Sequence, residues 1–218
     1  RDDVRRFWNG DEKTCWAMGQ RLSGSPDLYT KSSPRPGQAI TFLTAHDGFT
    51  LADVVSFSRK HNLANGEDNR DGDNHNNSGH WGVEGPSSDH AITQLRNRQQ
   101  RNLLCSLLLA PGVPMLLMGD EVRRSQGGNN NTWCQNNPMG WMHWCPDPDD
   151  QAQHTFVRRL LKLRNHLSAL LNPELAHPDR GPGLPSEPGE RWRQWHGVEI
   201  NKPDWAAWSH TLAWSLHE

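Results

Sequence analysis

The residues best suited to chemistry stand together in Thr-Ala-His-Asp-Gly, residues 44–48. His46 and Asp47 put an imidazole, donor or acceptor, beside a carboxylate, a pair that can grip ligand hydroxyls or tune a neighbouring acid. The same two residue types also cap the turn after a strand, and the sequence gives the two readings equal weight. A second acidic stretch, Met-Gly-Asp-Glu at 118–121, ends another short apolar run. Between them, residues 58–90 are crowded with Asn, Asp and Gly, which favour turns over regular elements. There Glu67, Asn69, Asp71 and Gly72 fall in register with a calcium loop, but Ser78 stands where the closing Glu is needed, so a solvated Asx-rich loop is the expectation. His75 and His80 lack a zinc-helix context, and the cysteines are scattered. No metal or other cofactor is therefore expected. The sequence has no nucleophile elbow, phosphate-binding loop or dinucleotide fingerprint. Polar, carboxylate-bearing loops in a chain with 11 Trp beside 1 Tyr and 5 Phe suit a neutral, hydroxyl-rich ligand such as a carbohydrate. Trp faces stack on sugar rings as readily as they fill cores, and composition does not choose between the two.

These groups need elements to position them. The apolar run 39–45 reads as a buried strand ending at His46 and Asp47, and 114–119 as a second strand ending on acids. Residues 11–22 read as a short helix, and 91–110 as a helix capped by Ser88 or Asp89, polar first and apolar later. In the latter, Arg96, Arg98 and Arg101 read as a solvated or ion-paired face. From 154 onward, Phe156, Leu160, Leu163, Leu167 and Leu170 recur at helical spacing, with Arg158, Arg159, Lys162 and Arg164 toward water. Pro- and Gly-rich residues 172–190 read as a linker, and 191 onward as short β pieces. Strands alternating with helices and ending in polar residues are how a (β/α) barrel or open α/β sheet presents a site.

The chain has 218 residues, with 23 Lys and Arg against 25 Asp and Glu and a net charge of −2. That charge disfavours nucleic acid and acidic membrane surfaces as partners. The longest apolar run, 103–119, is cut by Pro111, Gly112 and Pro114 and is too short for a bilayer span. Four cysteines without a scaffold pattern suggest a reducing, cytoplasmic setting, although Cys134 and Cys145 could meet in a loop. An N-terminus without Met reads as the interior of a longer protein.

The runs 44–85, 95–121 and 126–137, in that order, closely resemble the isoamylase-type glycogen debranching enzymes of the α-amylase superfamily. Residues 4–13 and 195–217 are similar to the same enzymes. The resemblance implies an α/β fold consisting of the last two β/α units of a (β/α)8 barrel, strands seven and eight, followed by the start of an all-β domain. Its division would be 1–171 for the barrel portion, 172–190 for the linker and 191–218 for the β-sandwich start. It further implies that Asp47 is the transition-state stabiliser after strand seven and that His46 grips substrate hydroxyls. The substrate would be glycogen or a related branched α-glucan, cleaved at α-1,6 linkages. The family's nucleophile and acid/base motifs are not found in these 218 residues, so a missing N-terminal part of the same polypeptide is an implied partner. The isolated chain is expected to be inactive. A non-catalytic or vestigial glucan-binding protein is the alternative. The sequence departs from the family after Glu121, with Val122, Arg123 and Arg124, and again at Asn136, Asn137 and Pro138.

Overall fold

The structure, a computed structural model, describes residues 1–28, 39–167, 171 and 192–217. Helix α1 (Asp2–Asn9), which the sequence reading did not single out, carries Asp2 and Asp3 at the positive end of its dipole and stops at left-handed Gly10. Helix α2 (Cys15–Leu22) begins later than the expected residue 11, since Lys13 takes a positive φ of 63° and breaks the helical path before it.

Strand β1 is Ile40–Phe42, and β2 is Val113–Met115. They pair in parallel, Ile40 against Val113 and Phe42 against Met115. Both are shorter than the apolar runs suggested, for a physical reason. The Leu43 carbonyl is taken by the Arg5 guanidinium, so the backbone group after Phe42 bonds to a side chain instead of to the ladder. Beyond Met115 the chain turns, with Asp120 N–H donating to Leu117 O at 3.1 Å. At Gly112 (φ +99°) a Cβ would lie 2.7 Å from Ala39 O, so only glycine lets the two strands start this close together.

After β1 comes a short helix, α3 (Leu51–Val54), whose cap Thr50 accepts from Asp53 N–H. Helix α4 (His90–Leu108) is capped by Asp89, which accepts from Ala91 and Ile92 N–H; of the two candidates, Ser88 is not the cap. Helix α5 (Pro148–His166) starts earlier than the apolar spacing indicated, because Asp147 and Asp150 form a capping box with Pro148 in the first turn. One core joins these helices: Val4, Met18, Leu43, Phe49, Leu51, Val54, Leu103, Leu104, Leu107, Leu108, Val157 and Leu160 are buried together.

Several faces differ from expectation. Arg96 is buried rather than solvated, its guanidinium donating to the carbonyls of His80, Val83 and Gly85 and so tying residues 80–85 to α4. Arg164 does not face open water either: it donates to the carbonyls of Leu108, Ala110 and Gly112, fastening α5 to the link between α4 and β2. Leu163, expected on the apolar face, is 45% exposed. Leu170 and the linker 172–190 lie outside the described residues.

Strands β3 (Trp192–His196) and β4 (Ala213–His217) form an antiparallel pair. This part packs on α2: Lys13 N–H donates to Ala207 O at 2.7 Å, Arg193 donates to Ser23 Oγ at 2.7 Å, and Trp16 meets Trp205 edge-on at 5.2 Å. Cys134 and Cys145 are both free and exposed, so the disulfide considered from sequence does not form. Among the described residues, no helix is long and apolar enough to cross a membrane.

Candidate active site at the strand ends

The segment leaving β1 carries His46 and Asp47 out of the core. Their side chains are 88% and 79% exposed, and His46 Nε2 lies 3.3 Å from Asp47 Oδ2. The pair expected from sequence is thus brought together, and it faces solvent. Asp47 and Gly48 line one side of a cleft of about 270 Å³, with Arg1, Asp73, His75 and Asn131 on its other walls. Its lining is polar and mixed in charge, suited to hydroxyl groups rather than to an apolar ligand.

Beneath this exposed pair the supports are buried. Arg5 donates to Leu43 O through Nε and Nη2 and to Asn76 O through Nη1 at 2.6 Å, joining α1, the end of β1 and the wall of the cleft. Burial pulls the Arg5 guanidinium down to about 10, still charged at neutral pH. Asp120, 1% exposed at the end of the second acidic stretch, accepts from the Thr44 hydroxyl and from Leu51 N–H at 2.9 Å. Burial pushes its carboxyl up to about 7, the hydrogen bonds from Thr44 and Leu51 only partly opposing that. Asp53 accepts from Ser125 Oγ at 2.5 Å and Gln126 N–H at 2.8 Å, and burial raises its carboxyl too.

The Asx-rich loop is exposed at Glu67, Asp68, Arg70 and residues 72–75, as expected, while its Asn62 and Asn76 are buried and tie it to the loop that carries Asn130. Asn62 and Asn130 exchange two bonds: Asn62 Nδ2 donates to Asn130 Oδ1 at 2.8 Å, and Asn130 N–H to Asn62 Oδ1 at 3.0 Å. Asn130 Nδ2 also donates to Asn76 Oδ1, and Asn129 Nδ2 to Asn65 Oδ1, both within 2.9 Å. Lys60 Nζ is held by the carbonyls of Arg70, Asp71 and Gly72. Asn65 and Asn131 donate to Asp71 Oδ2 and hold that carboxyl below its ordinary value. A Cβ at Gly72 would stand 2.2 Å from Asn130 Oδ1, so the two loops approach only through glycine.

Of the calcium-register residues, Asp71 is thus engaged by amide donors. Among the described residues, no group of three or more His, Cys, Asp or Glu side chains could hold a metal ion. Sequence reasoning missed Arg5, Asp53, Asp120 and the Asn62–Asn130 pair as supports. Asp53, an acid within the apolar run 51–55, and Asp120, in the acidic stretch that ends the second apolar run, carried a local signal, although neither was given a supporting role. What the arrangement offers chemically is an exposed carboxylate and imidazole at the end of a parallel strand, on a rigid buried base.

No family model matches the chain. Isoamylase 1, chloroplastic, of Arabidopsis thaliana is 41% identical over 219 aligned positions, which take in 99% of this chain and 26% of that protein. A glycogen debranching enzyme of Serratia proteamaculans is 48% identical over 170, covering 78% of this chain and 25% of the relative. Among solved structures, a pullulanase from Bacillus acidopullulyticus superposes with a TM-score of 0.57 at 18% identity, over 81% of this chain and 20% of that one, a likeness of fold. The chain spans about a quarter of the length of the curated relatives it matches.

Proposed function

We propose, for a chain that belongs to the isoamylase-type glycogen debranching family of the α-amylase superfamily, that it is the portion of a debranching enzyme carrying the stabilising carboxylate, Asp47, and its neighbour His46. In this reading β1 and β2 are the seventh and eighth strands of a (β/α)8 barrel, with residues 1–171 in the barrel, 172–190 a linker, and 191–218 opening a C-terminal β domain. The single observation that carries it is the placement of His46 and Asp47, exposed and side by side where β1 ends, beside a parallel neighbour whose own end supplies Asp120. Active sites in such barrels stand at the C-terminal ends of the strands.

The chemistry proposed is hydrolysis of α-1,6 branch linkages in glycogen-like glucans. Retaining hydrolysis needs a nucleophile and an acid/base roughly 5–5.5 Å apart, which polypeptide outside residues 1–218 would supply. Asp47 would stabilise the oxocarbenium-like transition state, and His46 would bind hydroxyls of the glucose at the scissile bond. The test is reducing-sugar release from a branched glucan by the full polypeptide. Asp47→Asn should lower kcat by about 10²–10³ while the protein stays folded, the scale of losing one transition-state contact. Near-normal turnover in that variant would remove Asp47 from the site.

A further inference from the structure

The segment 44–51 leaves β1, turns at Gly48 (φ +106°) and re-enters the core at α3, with His46 and Asp47 at its outer side. Both of its ends meet one side chain. Asp120 takes the Thr44 hydroxyl on Oδ2 and the Leu51 N–H on Oδ1, and Thr44, Leu51 and Asp120 are all buried. The middle is tied separately, Gly48 N–H donating to Asn130 O at 2.9 Å. Water does not compete for bonds made in such surroundings, so they hold their geometry firmly. The two oxygens of a carboxyl group have a fixed spread, and the distance between the two ends of the segment is set by that spread.

We infer that Asp120 is a positioning residue that fixes where the Asp47 carboxylate stands by clamping both ends of the segment bearing it. The inference rests on the reading of Asp47 as the stabilising carboxylate. Asn at 120 preserves both contacts, with Oδ1 accepting from Leu51 N–H and Nδ2 donating to the Thr44 hydroxyl oxygen. Ala preserves neither and leaves two buried donors unpaired.

The experiment uses the full-length polypeptide containing this chain, with reducing-sugar release from a branched glucan as the assay. Asp120→Ala should lower kcat about 10²-fold with KM changed by less than about threefold, since a displacement near 1 Å costs that much. Thr44→Val, which cuts one of the two bonds, should lower kcat by about tenfold, and Asp120→Asn should recover most of the turnover that Ala loses. If the Ala variant does not fold, the Val and Asn variants decide. Folded Asp120→Ala or Thr44→Val with wild-type kcat, beside an inactive Asp47→Asn, would overturn the clamp and leave the function intact; so would Asp120→Asn as slow as Ala, or an effect on KM alone. A wild-type polypeptide with no turnover, or one indifferent to Asp47→Asn, would remove both.

Discussion

Burial drives the Asp120 carboxyl up to about 7 from an ordinary 3.8, and that has a consequence for stability. A carboxyl whose pKa is higher folded than unfolded binds more protons in the native state between those two values, so its contribution is fully present below about 4 and is lost as pH rises through about 7. The loss is on the order of 4 kcal/mol. Asp53, raised by burial as well, acts in the same direction. Asp120→Asn cannot ionise, so it should flatten the fall in melting temperature between pH 4 and 8 and be more stable than wild type at pH 8. Thermal melts across that range check it; a variant melting below wild type at pH 8 would show that the ionised carboxylate is favoured in place. The exposed pair His46 and Asp47 was legible from sequence because a strand end with two polar residues is a local pattern. Arg5 was not, since its partners Leu43 and Asn76 are 38 and 71 residues away.

Among the elements, the two loops beside the site are held by amides rather than by apolar packing. Asn62, Asn129 and Asn130 are nearly free of solvent contact, and each bonds across to the other loop. Asn130→Ala keeps the backbone carbonyl that receives Gly48 N–H and the N–H that donates to Asn62 Oδ1, but it leaves Asn76 Oδ1 without its donor and Asn62 Nδ2 with only its bonds to Asp71. An unpaired buried polar group costs about 1–3 kcal/mol, so urea denaturation should report a loss of that size. A change below about 0.5 kcal/mol would mean that water replaces Asn130 freely. Arg123, one of the residues departing from the family pattern, has a comparable local use: it lies 3.2–3.6 Å from Asp147, Asp149 and Asp150 at the start of α5. The sequence showed the Asx-rich composition but not this order, because amides carry no periodicity and only the opposing loop decides whether they are solvated or paired.

At the scale of the molecule, among the described residues β1 and β2 pair only with each other. Ile40, Val113 and Met115 are 64%, 53% and 40% exposed along the pair, apolar side chains beside strand edges that can template pairing with other chains. Expressed alone, the 218-residue chain should bind a hydrophobic dye, self-associate and release no reducing sugar from branched glucan; a dye-silent monomer with one sharp melt would count against a barrel fragment. Leu107, by contrast, adds nothing to such a patch, being buried against the helices that the chain does contain. The sequence by itself determined the start of α4 to within two cap candidates, the presence of the two short apolar strands, the β character after residue 191 and the resemblance to debranching enzymes, since each is written in neighbouring residues or in long runs of identity. Tertiary structure alone decided that the strands stop at Phe42 and Met115, that Arg96 and Arg164 turn inward, and that Asp120 supports the site. Those outcomes depend on which buried carbonyl or hydroxyl lacks a partner once the chain has folded, and that partner lies far away along the sequence.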